Sequence, residues 1–226
     1  MAMHEAGQFS ATPGADEDSL PRCWATIAWS YATLQIRDVA AFQRIALLAK
    51  AKLEAFKSFE LANLLWAFAK SQIHAPALLE AIVKLVPSQL HMFSPVSLST
   101  IAWAYVTLQP HPPAALLKRI ATGFIQQIDA AESQEIANMS WALAMAKVVK
   151  TPVFQELGNA AAAKLSTFKI QELANTAWAF SRAGVRHQEL FAAYGNLFTA
   201  NPGLAFQFHA QGLANILWAM AKQVTL

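Results

Sequence analysis

Cysteine is nearly missing: Cys23 is the one example among 226 residues. An intramolecular disulfide and a cysteine-based zinc centre are therefore excluded. Glycine and proline are scarce, at 8 and 10 residues, which excludes collagen-like and proline-tract composition. Charge is thin. Asp, Glu, Lys and Arg make up 14% of the chain against 55% hydrophobic residues, and mean hydropathy is +0.30. A chain this apolar is not disordered along its length. Clean hydrophobic runs are lacking as well. A long uncharged stretch, Ser88 to Leu117, contains Pro95, Pro110, Pro112, Pro113, His91 and His111. A bilayer span needs about 20 mostly apolar residues without such breaks, so no membrane partner is expected.

Catalytic signatures are also absent. There is no glycine-rich phosphate loop and no HExxH, CxxC or GxSxG. Neither a catalytic residue nor a cofactor is expected, and the chain does not read as an enzyme. His74, His111 and His187 recur about once per repeat in the scheme below. They are expected to form a row along one edge, with neighbours about 10 Å apart, too far to share a metal bound at about 2 Å. No metal site is expected.

Basic residues are missing from residues 1–18, which carry Glu5, Asp16, Glu17 and Asp18. That pattern is neither a secretory signal nor a clear transit peptide. It is read as a disordered acidic leader, with 19–226 as a single domain. The remaining 208 residues hold 17 basic and 10 acidic groups, a net +7. This mild bias permits a nucleic-acid partner without requiring one.

What is present is a repeat. Trp29, Trp66, Trp103, Trp141, Trp178 and Trp218 are spaced 37, 37, 38, 37 and 40 residues apart. Their surroundings recur: ELANLLWAFAK from Glu60, SLSTIAWAYVT from Ser97, EIANMSWALAM from Glu135, ELANTAWAFSR from Glu172 and GLANILWAMAK from Gly212, with a weaker CWATIAWSYAT from Cys23. Numbered from the tryptophan, positions −5, −2 and +2 fall on one helical stripe. Positions −4, 0 and +3 form a second stripe of Ala, Trp and Ala. A phenylalanine stands at −10 (Phe56, Phe93, Phe168, Phe208), with Ala131 the exception. Each core is expected to be a helix, B. A second helix, A, is expected to open near +10, at Pro76, Pro113 and Thr151-Pro152. Its anchors fall at +13 (Phe42, Leu79, Leu116, Phe154, Phe191) and +16 (Ile45, Ile82, Leu157, Tyr194), with Arg119 out of pattern. Asn201-Pro202-Gly203 is read as a loop inserted in the longest spacing.

Both helices are apolar over more than half their circumference, so one pair cannot bury its own surface, whereas stacked pairs can. The expected fold is all-α: a right-handed α-solenoid of about five 37–38-residue helical hairpins plus one extra N-terminal helix, with the tryptophans buried. The last helix looks uncapped, with Trp218 and Leu213 unshielded. Self-association there, or a longer natural chain, is expected.

The LANxxWAFAK run on the second helix of each pair resembles the octotricopeptide repeats and the related heptatricopeptide repeats of RAP-associated organellar proteins. The likeness covers about 20–226. It rests on Leu61-Ala62-Asn63 with Trp66-Ala67, Leu173-Ala174-Asn175 with Trp178-Ala179, Leu213-Ala214-Asn215 with Trp218-Ala219, and Ile136-Ala137-Asn138 with Trp141-Ala142. Thr100 replaces the asparagine in one repeat. The resemblance implies sequence-guided binding of single-stranded RNA in a chloroplast or mitochondrion, in transcript stability, processing or translation.

A position identical in every copy cannot tell bases apart. The asparagine at −3 (Asn63, Asn138, Asn175, Asn215) is therefore expected to bond a neighbouring turn or helix end. Helix A, expected on the inner surface, carries variable polar residues at +14 and +18. Gln43, Gln155, Asn159 and Asn196 are candidate base readers, or else ordinary solvated side chains. Arg44, Lys84, Lys118 and Arg119 on helix A are candidate phosphate contacts, with Lys70, Arg182 and Lys222 at +4 on helix B. The alternative function is a protein-binding scaffold without a nucleic-acid ligand, for which a mixed or apolar inner surface is expected.

Overall fold

The computed structural model describes residues 20–225, so the acidic leader at 1–18 lies outside the described residues. Among them all regular structure is helical, with no strand. The α-helices are α1 (Leu20–Thr33), α2 (Val39–Ala51), α3 (Ser58–Ser71), α4 (Pro76–Leu85), α5 (Pro95–Leu108), α6 (Ala114–Ile125), α7 (Ser133–Met145), α8 (Thr151–Lys164), α9 (Ile170–Ala183), α10 (Gln188–Ala200) and α11 (Ala210–Thr225). Odd helices carry the repeated tryptophans and even helices are the intervening ones.

The odd helices pack closely in sequence, α1 on α3 and so on to α11. Small residues allow the close approach: Ala62, Ala69, Ala137, Ala144 and Ala174 flank the indoles and are buried. The even helices touch one another more sparsely, α2 with α4, α6 with α8 and α8 with α10.

Odd helices begin alike. The residue at −10 is buried whether it is Phe56, Phe93, Phe168, Phe208 or the exceptional Ala131. With Leu61, Leu98, Ile136 or Leu173 at −5 it stands in the register of a hydrophobic staple. Glu60, Glu135 and Glu172 accept the backbone N–H of Lys57, Glu132 and Lys169 at 2.9, 2.8 and 2.8 Å, one half of a capping box. In α5 the Ser94 Oγ accepts from the Ser97 N–H instead, with Pro95 opening the helix.

The expected anchors at +13 are all buried. Arg119, out of pattern at +16, is exposed, and the reason is a shift of register. Helix α6 opens eleven residues after Trp103, whereas α2, α4, α8 and α10 each open ten residues after the preceding repeat tryptophan. The extra residue moves the buried stripe of α6 to Leu117, Ile120, Ala121 and Phe124. The insertion expected as a loop at Asn201–Gly203 is a six-residue 3-10 helix, Pro202–Gln207.

The tryptophans correct an expectation. Trp66, Trp103, Trp141 and Trp178 are half-buried, and Trp29 and Trp218 are exposed. The core bulk comes from Phe42, Phe68, Tyr105, Phe124, Phe154, Phe180 and Tyr194. Position 0 sits at the edge of the stripe that −5, −2 and +2 drive inward, so the indole packs by one side only.

Candidate nucleic-acid interface

Each odd helix leaves one stripe to solvent. It runs through −7, −3, 0 and +4, positions that share a side because they are separated by four, three and four residues. In α3 these are Phe59, Asn63, Trp66 and Lys70; in α5 Val96, Thr100, Trp103 and Thr107. In α7 they are Gln134, Asn138, Trp141 and Met145; in α9 Gln171, Asn175, Trp178 and Arg182; in α11 Gln211, Asn215, Trp218 and Lys222. All are exposed or half-buried. No acidic residue occupies any of them. The stripes of adjacent helices adjoin because the helices do. Trp29 and Trp66 lie 6.4 Å apart by ring centroid, tilted by 34°. Trp29, Asn63, Trp66, Thr100, Trp103, Gln134 and Asn138 line one recess of about 360 Å³ spanning α1, α3, α5 and α7. Lys222 Nζ lies 5.0 Å from the Trp218 ring centroid and donates to the Ser181 carbonyl at 2.6 Å.

The recurring asparagine makes none of the long-range contacts expected of it. Asn175 Oδ1 accepts from Gln171 Nε2 at 2.8 Å, and Asn215 Oδ1 from Gln211 Nε2 at 2.9 Å. Both bonds lie within one helix, one turn apart. Asn63 and Asn138 line the recess beside the indoles.

The residues expected on the even helices divide into four groups. Gln43 Nε2 donates to the His74 carbonyl and Gln155 Nε2 to the Arg186 carbonyl, both at 3.2 Å and both 31 residues further on. These amides bracket an even helix to the turn of the following repeat. Asn159 Oδ1 lies 3.2 Å from His187 Nε2. Arg44, Lys84 and Asn196 are exposed on three different even helices. Lys118 and Arg119 are brought together in a second recess of about 450 Å³ with His91 and Lys150.

His187 was not separable from its fellows in sequence. His74 and His111 are exposed, whereas His187 is 4% exposed, so the three do not form one row of equals. Its Nδ1 accepts the Leu190 N–H at 3.2 Å and caps α10. Its Nε2 lies 3.1 Å from the Gln155 carbonyl, so the proton sits on Nε2. Gln223 closes the cluster, accepting from the His187 N–H at 3.0 Å and donating to the Val185 carbonyl at 3.2 Å. The one faint signal was Gly158: a Cβ there would collide with the His187 ring. Among the described residues no group of three His, Cys, Asp or Glu side chains could hold a metal ion, and no helix is long and apolar enough to cross a membrane.

No family model and no curated protein matches the chain.

Proposed function

We propose that the helices form an α-solenoid, right-handed in its winding, with the closely packed odd row inside and the sparser even row outside. Its inner face binds single-stranded RNA. The observation that carries this reading is the acid-free stripe of indoles and amides repeated on successive odd helices, opening into one recess across four of them. Unpaired bases offer faces for indoles to stack on and edges for amides to bond. Lys70, Arg182 and Lys222, at one end of the same stripe, supply phosphate contacts. The repeat motif supports the same reading through its likeness to octotricopeptide repeats, which also points to a chloroplast or mitochondrion and to transcript stability, processing or translation.

This moves the proposed base-reading role from the even helices to position −7 of the odd ones, with Gln134, Gln171 and Gln211, while Asn63, Asn138, Asn175 and Asn215 at −3 contact every base alike. The bracketing amides of Gln43 and Gln155 are already engaged. The variation that distinguishes one base from another then lies at −7, where Phe59 and Val96 in the first two of these repeats give way to Gln134, Gln171 and Gln211 in the next three.

The test is a pull-down with sequencing of the bound RNA, followed by binding of the enriched strand to Gln134→Ala, Asn138→Ala and Gln155→Ala variants. The first two are expected to weaken binding about tenfold each, the scale of one or two lost hydrogen bonds. Gln155→Ala is expected to leave it unchanged. No enriched transcript, or equal losses for all three variants, refutes the proposal. A protein-binding scaffold is the second reading, favoured by Phe59, Val96 and Met145, which stand 50%, 57% and 44% exposed on the same stripe. Capture of a protein whose binding is lost in Phe59→Ser, with no RNA enriched, would establish it. Self-association belongs to the same proposal: Leu217 and Trp218 on α11 are 58% and 46% exposed. Leu217→Lys is expected to lower the apparent mass in light scattering at high concentration.

A further inference from the structure

We propose that the recess along α6 binds a phosphate group, presented either by a small phosphate ester or by the end of a nucleic-acid strand. This site lies on the even-helix side and does not depend on the RNA reading of the odd face.

The recess is a product of two irregularities. Helix α4 is short: Pro87 follows its last turn, and the segment 86–92 folds into 3-10 turns that pack against α6. The extra residue before α6 then turns Lys118, Arg119, Thr122 and Gln126 to solvent along its length. Together with Ser88, His91 and Lys150 these side chains line a recess of about 450 Å³.

Its charge is unbalanced. Lys118, Arg119 and Lys150 line it and no carboxylate does. The side-chain ammonium groups of Lys118 and Lys150 have no hydrogen bond or ion pair among the described residues. The comparison with other repeats is telling. Gln43 and Gln155 bracket the turn of the next repeat by bonding its carbonyl. Allowing for the shifted register, Lys118 stands where those glutamines stand, and it faces the next turn at Lys150. A neutral bracket has been replaced by two like charges sharing one recess, which repel unless an anion lies between them.

Arg119 is held for the task. One of its terminal nitrogens donates to the Pro87 carbonyl at 2.9 Å. That contact tethers the guanidinium at the wall of the recess and leaves its other N–H groups for an oxyanion. A planar fork and two ammonium groups suit a phosphate dianion. Ser88 and Thr122 add hydroxyls to the wall, their own protons engaged with the Leu85 and Lys118 carbonyls. The neighbouring acid is Glu156, which lines an adjoining recess with Thr122 and Gln126.

The test is calorimetric titration of the full chain with inorganic pyrophosphate. Saturable binding is expected, about tenfold weaker in Lys118→Gln and in Lys150→Gln, the scale of one charge-assisted hydrogen bond. Lys50→Gln, an equal charge loss on α2, is expected to bind as the unmodified chain does. Glu156→Gln is expected to bind more tightly. All four positions are exposed or at a helix end, and circular dichroism checks that each variant remains folded. Absence of saturable binding overturns the proposal, as does an equal loss in Lys50→Gln. Competition separates the two sources: displacement by a 5′-phosphorylated but not a 5′-hydroxyl oligonucleotide assigns the strand end, and displacement by nucleoside monophosphates assigns the small ester. Asn138→Ala is expected to retain pyrophosphate binding, so failure of the RNA reading and failure of this one are separable.

Discussion

Ser140 is fully buried at position −1 of α7 and its hydroxyl has no hydrogen-bond partner. Most other repeats place Ala or Leu there. Removing an unsatisfied buried hydroxyl relieves its desolvation penalty, so Ser140→Ala is expected to raise stability by about 1 kcal/mol in chemical denaturation. Gly158 works in the opposite sense. It gives way to the His187 ring, and Gly158→Ala is expected to displace that ring, uncap α10 and cost about 2 kcal/mol. The buried tyrosines define an alkaline limit. Tyr105 donates to the Leu79 carbonyl and Tyr194 to the Leu173 carbonyl, each at 2.7 Å. Burial pushes both phenols well above their ordinary value near 10. Above pH 10 the unfolded chain ionises these groups while the folded one does not, so stability is expected to fall from about pH 10 upward. Tyr105→Phe should flatten part of that slope in pH-dependent melting. Gly158 and Tyr105 owe these roles to His187 and Leu79, more than 20 residues away along the chain, and Ser140 owes its role to the lack of a partner, so the repeat itself did not show them.

At the scale of the helix, the repeat motif was a good guide to existence and type and a poorer guide to facing. Helix positions, the phenylalanine before each odd helix and the +13 anchors were all legible, because each follows from local periodicity and capping chemistry. The tryptophans misled. A large ring conserved across copies reads as core, yet here the core stripe is carried by −5, −2 and +2 and the indole straddles its border. The contrast is measurable. Phe124→Ala is expected to cost about 4 kcal/mol, in the usual range for a buried aromatic, and Trp103→Ala clearly less in the same denaturation assay. The even helices were assigned the inner surface by analogy with other paired-helix proteins. The proposal places the odd row there instead, on the closeness of packing that its alanines allow, and that property depends on neighbours two helices apart.

For the whole molecule, the spread of charge matters more than its total. Three cations on the proposed inner stripe predict a modest salt dependence. A log–log plot of RNA affinity against salt is expected to have a slope of about −2, from roughly 0.7 per phosphate contacted on a single strand. Lys70→Gln should reduce it by nearly one phosphate's share, while Lys118→Gln should leave it unaltered.

The turn before α6 absorbs one added residue by moving the buried stripe along by one position, with Leu116 still buried, since the helix finds its seat through its own apolar side. Turns of this kind act as slack in the chain. They let the even helices be rewritten, lengthened or recharged one repeat at a time while the odd helices keep their spacing. A designer wishing to graft a new ligand onto this scaffold would begin there.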